Sequence, residues 1–176
     1  MGLIGEWRAS RERRNRAERY LFSGLLTAPE AVDVDWLASL IGDRARATEE
    51  LVFARWAVSL IVAERDALDD QTAADVAHAL NAVVDTETRR AGGSAWGARW
   101  RAYSAALAVR GQPESPATRL GRVLLEGAGV AEPGAEALER AAQIIGSHRT
   151  RANESLRAVF GVASLPEDVR PSAMRP

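Results

Sequence analysis

Leu51-Val52-Phe53-Ala54-Arg55-Trp56-Ala57-Val58-Ser59-Leu60-Ile61-Val62-Ala63 is the longest apolar run in the 176-residue chain, 13 residues with a single charge at Arg55. A run this long suits a helix better than a strand. Apolar side chains on most of its faces mark a helix enclosed on all sides. Arg55 and Ser59, four residues apart, draw a polar seam along it. It is too short for the roughly 18–20 residues that cross a bilayer. The run therefore predicts the central helix of an all-α protein.

Working outward from it, Asp43 caps this helix, and the helix is expected to reach about Ala67. Before it, Gly42 closes a short helix from Trp36 to Ile41 that Asp33 or Asp35 would cap. Thr27-Ala28-Pro29-Glu30 is a break, and a first helix precedes it over about residues 5–26. Between Trp7 and the apolar group Tyr20, Leu21, Phe22, Leu25 and Leu26 lies SRERRNRAER, polar on every side, so it is not expected in a core. Residues 1–19 are thus predicted to form a projecting basic arm carrying Arg8, Arg11, Arg13, Arg14 and Arg16.

After the central helix, Asp66 to Asp70 turns the chain into a helix from Thr72 to about Thr88, with Val76, Leu80 and Val83 inward. Gly92-Gly93 stops that helix, and Ser94 caps the next, which ends near Val109. Residues 111–116 form a loop. A shorter helix follows, with Leu120, Val123 and Leu124 inward, ending at Gly127-Ala128-Gly129. Pro133 opens a last helix to about Phe160. The fold class read from this order is all-α, a single-domain bundle of about six to seven helices. The globular domain covers 20–162, and 163–176 is an irregular tail with Pro166, Pro171 and Pro176.

Composition excludes much chemistry. Cysteine and lysine are absent and all 23 basic residues are arginine, so disulfides, thiolate metal sites, Schiff bases and phosphate-loop lysines are ruled out. Of the 47% apolar residues, 34 are alanine, which favours closely packed helices. The formal net charge of -1 hides opposed blocks: +3 over 1–26, -7 over 27–90 and +4 over 91–124. A near-neutral chain is not a dedicated nucleic-acid binder, and the acidic setting of residues 34–56 opposes their use as a DNA-reading helix pair. The N-terminus is too soon charged for a signal peptide, so a cytoplasmic protein is expected.

Few residues offer themselves as a site. Trp96, Trp100, Tyr103 and Leu107 share one helix face, with Arg99 and Arg101 beside them, a composition found at interface anchors as well as in cores. His148 lies on the apolar stripe Leu138, Ala141, Ile145, His148, Ala152, Leu156, Val159 and must find a ring-nitrogen partner there. His78 lies on a polar face with Asp75. Asp66, Asp69 and Asp70 have a spacing that resembles, over five residues, the aspartate-rich motif of isoprenoid-diphosphate enzymes. No second metal-binding element accompanies them, and carboxylates at a helix C-terminus oppose its dipole, so the run reads as a solvated turn. No metal or cofactor is implied.

The leading expectation is a non-catalytic interaction or assembly subunit with a protein partner or a second copy of itself. Residues 1–19 also suit an anionic membrane surface. The alternative is a small-molecule-binding bundle or small enzyme with a pocket near His148, Arg55 and the Trp96/Trp100 stripe.

Overall fold

A computed structural model of the chain describes residues 3–23, 28–66, 70–91, 95–108 and 113–160. Among these described residues seven helices follow in order: α1 (Leu3–Phe22), α2 (Ala31–Ile41), α3 (Arg44–Asp66), α4 (Asp70–Ala91), α5 (Trp96–Ala108), α6 (Pro116–Ala128) and α7 (Ala135–Phe160). Among the described residues there is no strand. The all-α, single-domain bundle read from the sequence is the observed architecture.

The 51–63 run occupies the middle of the bundle. Its α3 packs on α2, α4, α5, α6 and α7. It also meets α1, where the Tyr20 hydroxyl donates to the Ser59 carbonyl at 3.0 Å. Side chains on every side of α3 are buried, from Ala47 and Leu51 through Trp56, Val58 and Val62, and Arg55 and Ser59 are buried with them. Asp43 caps this helix as expected, accepting from the Arg46 amide at 3.0 Å.

Several local expectations are corrected. α2 begins at Ala31, five residues earlier than predicted, so Asp33 and Asp35 lie inside it and do not cap it. The N-cap is Glu30, extended and without a side-chain cap bond. Helical spacing sends Val34 and Leu37 into the core. The C-cap is Gly42 at φ 71, as expected. On α4 the inward set is Val76, Leu80 and Val84, with Val83 only half-buried. On α6 it is Leu120, Leu124 and Leu125, with Val123 at the margin. Pro133 stands two residues before α7 and does not open it.

α1 packs on α4 and α7. Within the segment expected as an arm, Ala17 is fully buried and Arg13 pairs with Asp75 of α4 at 3.6 Å. Trp7, Arg8, Arg11 and Glu12 are exposed, and the Arg11 guanidinium lies 5.6 Å from the Trp7 ring centroid. Arg16 pairs with Glu12 one turn away. Ser94, the expected tail at 163–176 and the side chains of the Asp66–Asp70 run lie outside the described residues.

The α6–α7 pair shows how an alanine-rich chain builds density. Gly121 sits against α7 so closely that a Cβ there would meet the Ala142 backbone nitrogen at 2.8 Å and the Ala141 carbonyl carbon at 3.0 Å. α6 starts on Ser115, whose hydroxyl accepts from the Thr118 amide at 3.1 Å. It ends on Gly129 at φ 101, and the Val130 amide returns to the Leu125 carbonyl at 2.9 Å.

Candidate interaction surface and the buried polar clusters

The aromatic stripe on α5 faces inward. Trp96 and Tyr103 are buried and Trp100 is half-buried. Trp96 meets Phe53 and Trp56 of α3 with ring centroids 6.0 and 5.5 Å apart and stacks on Trp100 at 5.9 Å. Edge and offset contacts at these distances are core packing between α3 and α5.

Arg99 does not lie over those rings. Its Nε donates to both carboxylate oxygens of Glu50, at 2.9 and 2.7 Å, and its Nη2 reaches Glu50 Oε1 and, at 2.9 Å, the Gly127 carbonyl. Arg46 donates to the same carbonyl at 3.1 Å. Two guanidiniums thus satisfy an orphan carbonyl at the C-terminus of α6, where the helix dipole favours positive charge. A Cβ at Gly127 would come within 2.6 Å of Glu50 Oε2 and 2.9 Å of Arg99 Nε, so the ion pair would have to shift to admit one. The Tyr103 hydroxyl is buried nearby with no hydrogen-bond partner. Burial, reinforced by the Glu50 charge, pushes its ionisation far upward.

Arg55 and His148 are brought together as the sequence suggested. Arg55 Nε donates to His148 Nε2 at 3.4 Å, its Nη1 donates to the Ala28 carbonyl at 2.9 Å, and its Nη2 lies 3.9 Å from Glu30. Glu30 in turn accepts from Arg151 at 2.6 Å. An imidazole that accepts at Nε2 carries its proton on Nδ1, and that atom is buried without a partner. Burial first, then the positive charges of Arg55 and Arg151, lower the His148 pKa from 6.5 to about 3.

This shift fixes the sign of a pH dependence. The unfolded chain takes up the His148 proton near its ordinary pKa of 6.5, whereas the folded chain resists it down to about 3. His148 therefore adds stability that is complete above pH 6.5 and fades as the pH falls toward 3. The slope for one such proton is about 1.4 kcal/mol per pH unit. His148→Gln keeps an acceptor for Arg55 but does not titrate. Urea midpoints between pH 7 and 4 should fall less steeply in that variant than in the parent chain; parallel slopes would contradict the assignment.

Arginine also closes the α5–α6 connection. Arg119 donates to the carbonyls of Ala106 at 2.8 Å and Glu114 at 2.7 Å. Arg46, Arg55, Arg99 and Arg119 all serve backbone carbonyls, a task suited to a planar five-donor fork.

The chain gives no match when compared with protein-family models, curated proteins and solved structures.

The surface singled out by the structure is one the sequence reading missed. On α2, Val32 is 64% and Leu40 45% exposed, and Trp36 between them is half-buried. Spacings of four align the three along one side of the helix; Val32 and Leu40 face solvent, and Trp36 between them packs partly against the core that takes Val34 and Leu37. Asp35, paired with Arg44, borders the stripe on one side. Asp33, paired with Arg140 at 2.8 Å, borders it on the other. Beside Leu40 opens a shallow depression of about 500 Å³ lined by Ile41, Asp43, Arg46, Ala128, Gly129 and Val130. The signal was present in the 32, 36, 40 spacing, but it becomes legible only once the helix starts at Ala31.

A second hollow, of about 540 Å³, lies between α1 and α4, with Arg14, Glu18, Asp75 and His78 at its polar positions and Leu21, Phe22 and Val83 among its apolar ones. Neither hollow has Arg55, His148 or Trp96 in its wall. Among the described residues, no three His, Asp or Glu side chains are placed to hold a metal, and no helix is long and apolar enough to cross a membrane.

Proposed function

We propose that the chain is a non-catalytic interaction subunit that enters a protein assembly through the outer face of α2. The observation that carries this reading is the pair Val32 and Leu40, exposed apolar side chains on one side of α2 with half-buried Trp36 between them, on a helix whose inner side is already packed. Single exposed apolar residues are ordinary on any surface. Two on one face with a half-buried tryptophan between them, rimmed by ion pairs, have the composition of an interface centre with a polar rim. The buried chemistry points the same way: Arg55, Arg99 and His148 are engaged by Ala28, Glu50, Gly127 and one another.

The test is the mass of the particle that contains the tagged chain in gentle extracts of its own cells. The chain should run in a defined assembly larger than its own 19.0 kDa. Val32→Glu with Leu40→Glu, both at exposed positions, should release it while leaving its melting temperature nearly unchanged. A parent chain that runs alone at its own mass, or an assembly that survives both glutamates, would count against the proposal.

A further inference from the structure

We infer that the outward side of α1 is a second contact surface and that it lies on an anionic lipid bilayer, its arginines at the phosphate level and one aromatic side chain entering the headgroup layer at each end. This goes beyond the α2 reading and does not depend on it, since α1 packs on α4 and α7 whereas α2 packs on α3.

The shape of the surface is the first support. Trp7, Arg11, Arg14, Glu18 and Phe22 follow one another at spacings of four, three, four and four, a line along the side of α1 turned away from buried Ala17 and Tyr20. At a rise of 1.5 Å per residue the line is about 22 Å long. It ends on the two exposed aromatic rings among the described residues, Trp7 at 57% and Phe22 at 66%. Phe22 stands as a ridge between two shallow hollows, one lined by Glu12, Asn15, Glu18 and Arg19, the other lying against α4.

Charge is the second support. Arg13 is committed to Asp75 and Arg16 to Glu12. Arg8, Arg11, Arg14 and Arg19 are exposed and, among the described residues, make no ion pair. Glu18 is the one unpaired carboxylate described among them, so four positive charges face outward against one negative. The Arg11 guanidinium lies 5.6 Å from the Trp7 ring centroid, which sets an indole beside a cation that can reach a phosphate. Indole and guanidinium both bridge an apolar layer and a wet one.

A straight convex ridge meets a plane along its whole length. A nucleic-acid strand asks instead for a positively charged groove, and the hollows flanking this ridge carry Glu12, Glu18 and Asp75. The inner side of α1 is already packed on the bundle, so the helix cannot sink an apolar face into the bilayer as a free amphipathic helix does. Attachment is therefore reversible and rests on lipid charge.

Flotation of the full chain with extruded vesicles tests this. Binding is expected to phosphatidylcholine mixed with an equal amount of phosphatidylserine, with little to phosphatidylcholine alone, and it should fall steeply as salt rises from about 50 to 500 mM. An arginine at such a surface is worth roughly five-fold in binding, so Arg11→Gln with Arg14→Gln should weaken it roughly twenty-fold. Glu18→Gln should tighten it several-fold, and Trp7→Ala should weaken it while leaving the salt dependence in place. All four side chains are exposed, so melting temperatures should stay close to the parent's. Equal binding to both vesicles, or binding indifferent to Arg11, Arg14 and Glu18, overturns the inference. So does a chain that ignores anionic vesicles yet binds a single-stranded oligonucleotide through Arg11 and Arg14. Val32→Glu with Leu40→Glu should bind vesicles nearly as the parent does; loss of binding there would place the contact on α2 and overturn the assignment to α1.

Discussion

Arg99→Met is expected to destabilise the fold by roughly 3 kcal/mol or more, because it strands a carboxylate in the core. Glu50 is nearly inaccessible, and Arg99 meets both of its oxygens. Arg46 remains nearby but is committed to the Gly127 carbonyl. Removing the carboxylate as well, in Arg99→Met with Glu50→Met, should recover a substantial part of the loss, since two apolar side chains can stand in for a buried pair. Glu50→Met alone should cost less than Arg99→Met. Arg99 is partly exposed, can hydrate, and keeps its bond to Gly127. Urea unfolding followed by circular dichroism measures all three. A double variant no more stable than Arg99→Met would show that the stranded charge is not the source of the loss.

Gly121→Ala should cost about 2 kcal/mol or more despite adding one methyl group and improving helix propensity. The contacts it would make are with the backbone of Ala141 and Ala142, which cannot rotate away as a side-chain tip could, so α6 and α7 must separate. Gly146→Ala is the control with opposite sign. It also lies inside a helix, but nothing stands within 4 Å of its added Cβ. It should stabilise by about 0.5–1 kcal/mol, the propensity difference between glycine and alanine. Melting temperatures should thus move in opposite directions for the two substitutions. A Gly121→Ala protein that melts at or above the parent would mean the α6–α7 contact is looser than described.

These two sites show how far the sequence could be read. Helix number, order and the central place of 51–63 follow from local periodicity and turn residues, and all three were legible. The Arg55–His148 meeting was half legible: each residue had to find a polar partner in an apolar setting, and few polar candidates existed. Glu50–Arg99 was not legible, because its partners come from helices 49 residues apart and are ordered by tertiary packing alone. Gly127 and Gly121 read as turn or helix residues. Their need for close approach is a property of the neighbouring helix and not of their own segment. The α5 tryptophans illustrate the converse. Their spacing correctly placed them on one face but carried no information on whether that face meets α3 or solvent. On α2, placing the start at Trp36 removed Val32 from the helix and hid the outer stripe.

Five tryptophans distribute over the surfaces in contention: Trp7 on the basic end of α1, Trp36 on the α2 face, and Trp56, Trp96 and Trp100 in the α3–α5 cluster. Their indole N–H resonances, recorded for the dissociated chain and for the assembled one, therefore report which surface is covered. The expected result is a large shift of the Trp36 signal on assembly, with Trp56, Trp96 and Trp100 unmoved. A Trp36 signal that stays in place while Trp100 or Trp7 moves would contradict the assignment of the α2 face as the working surface.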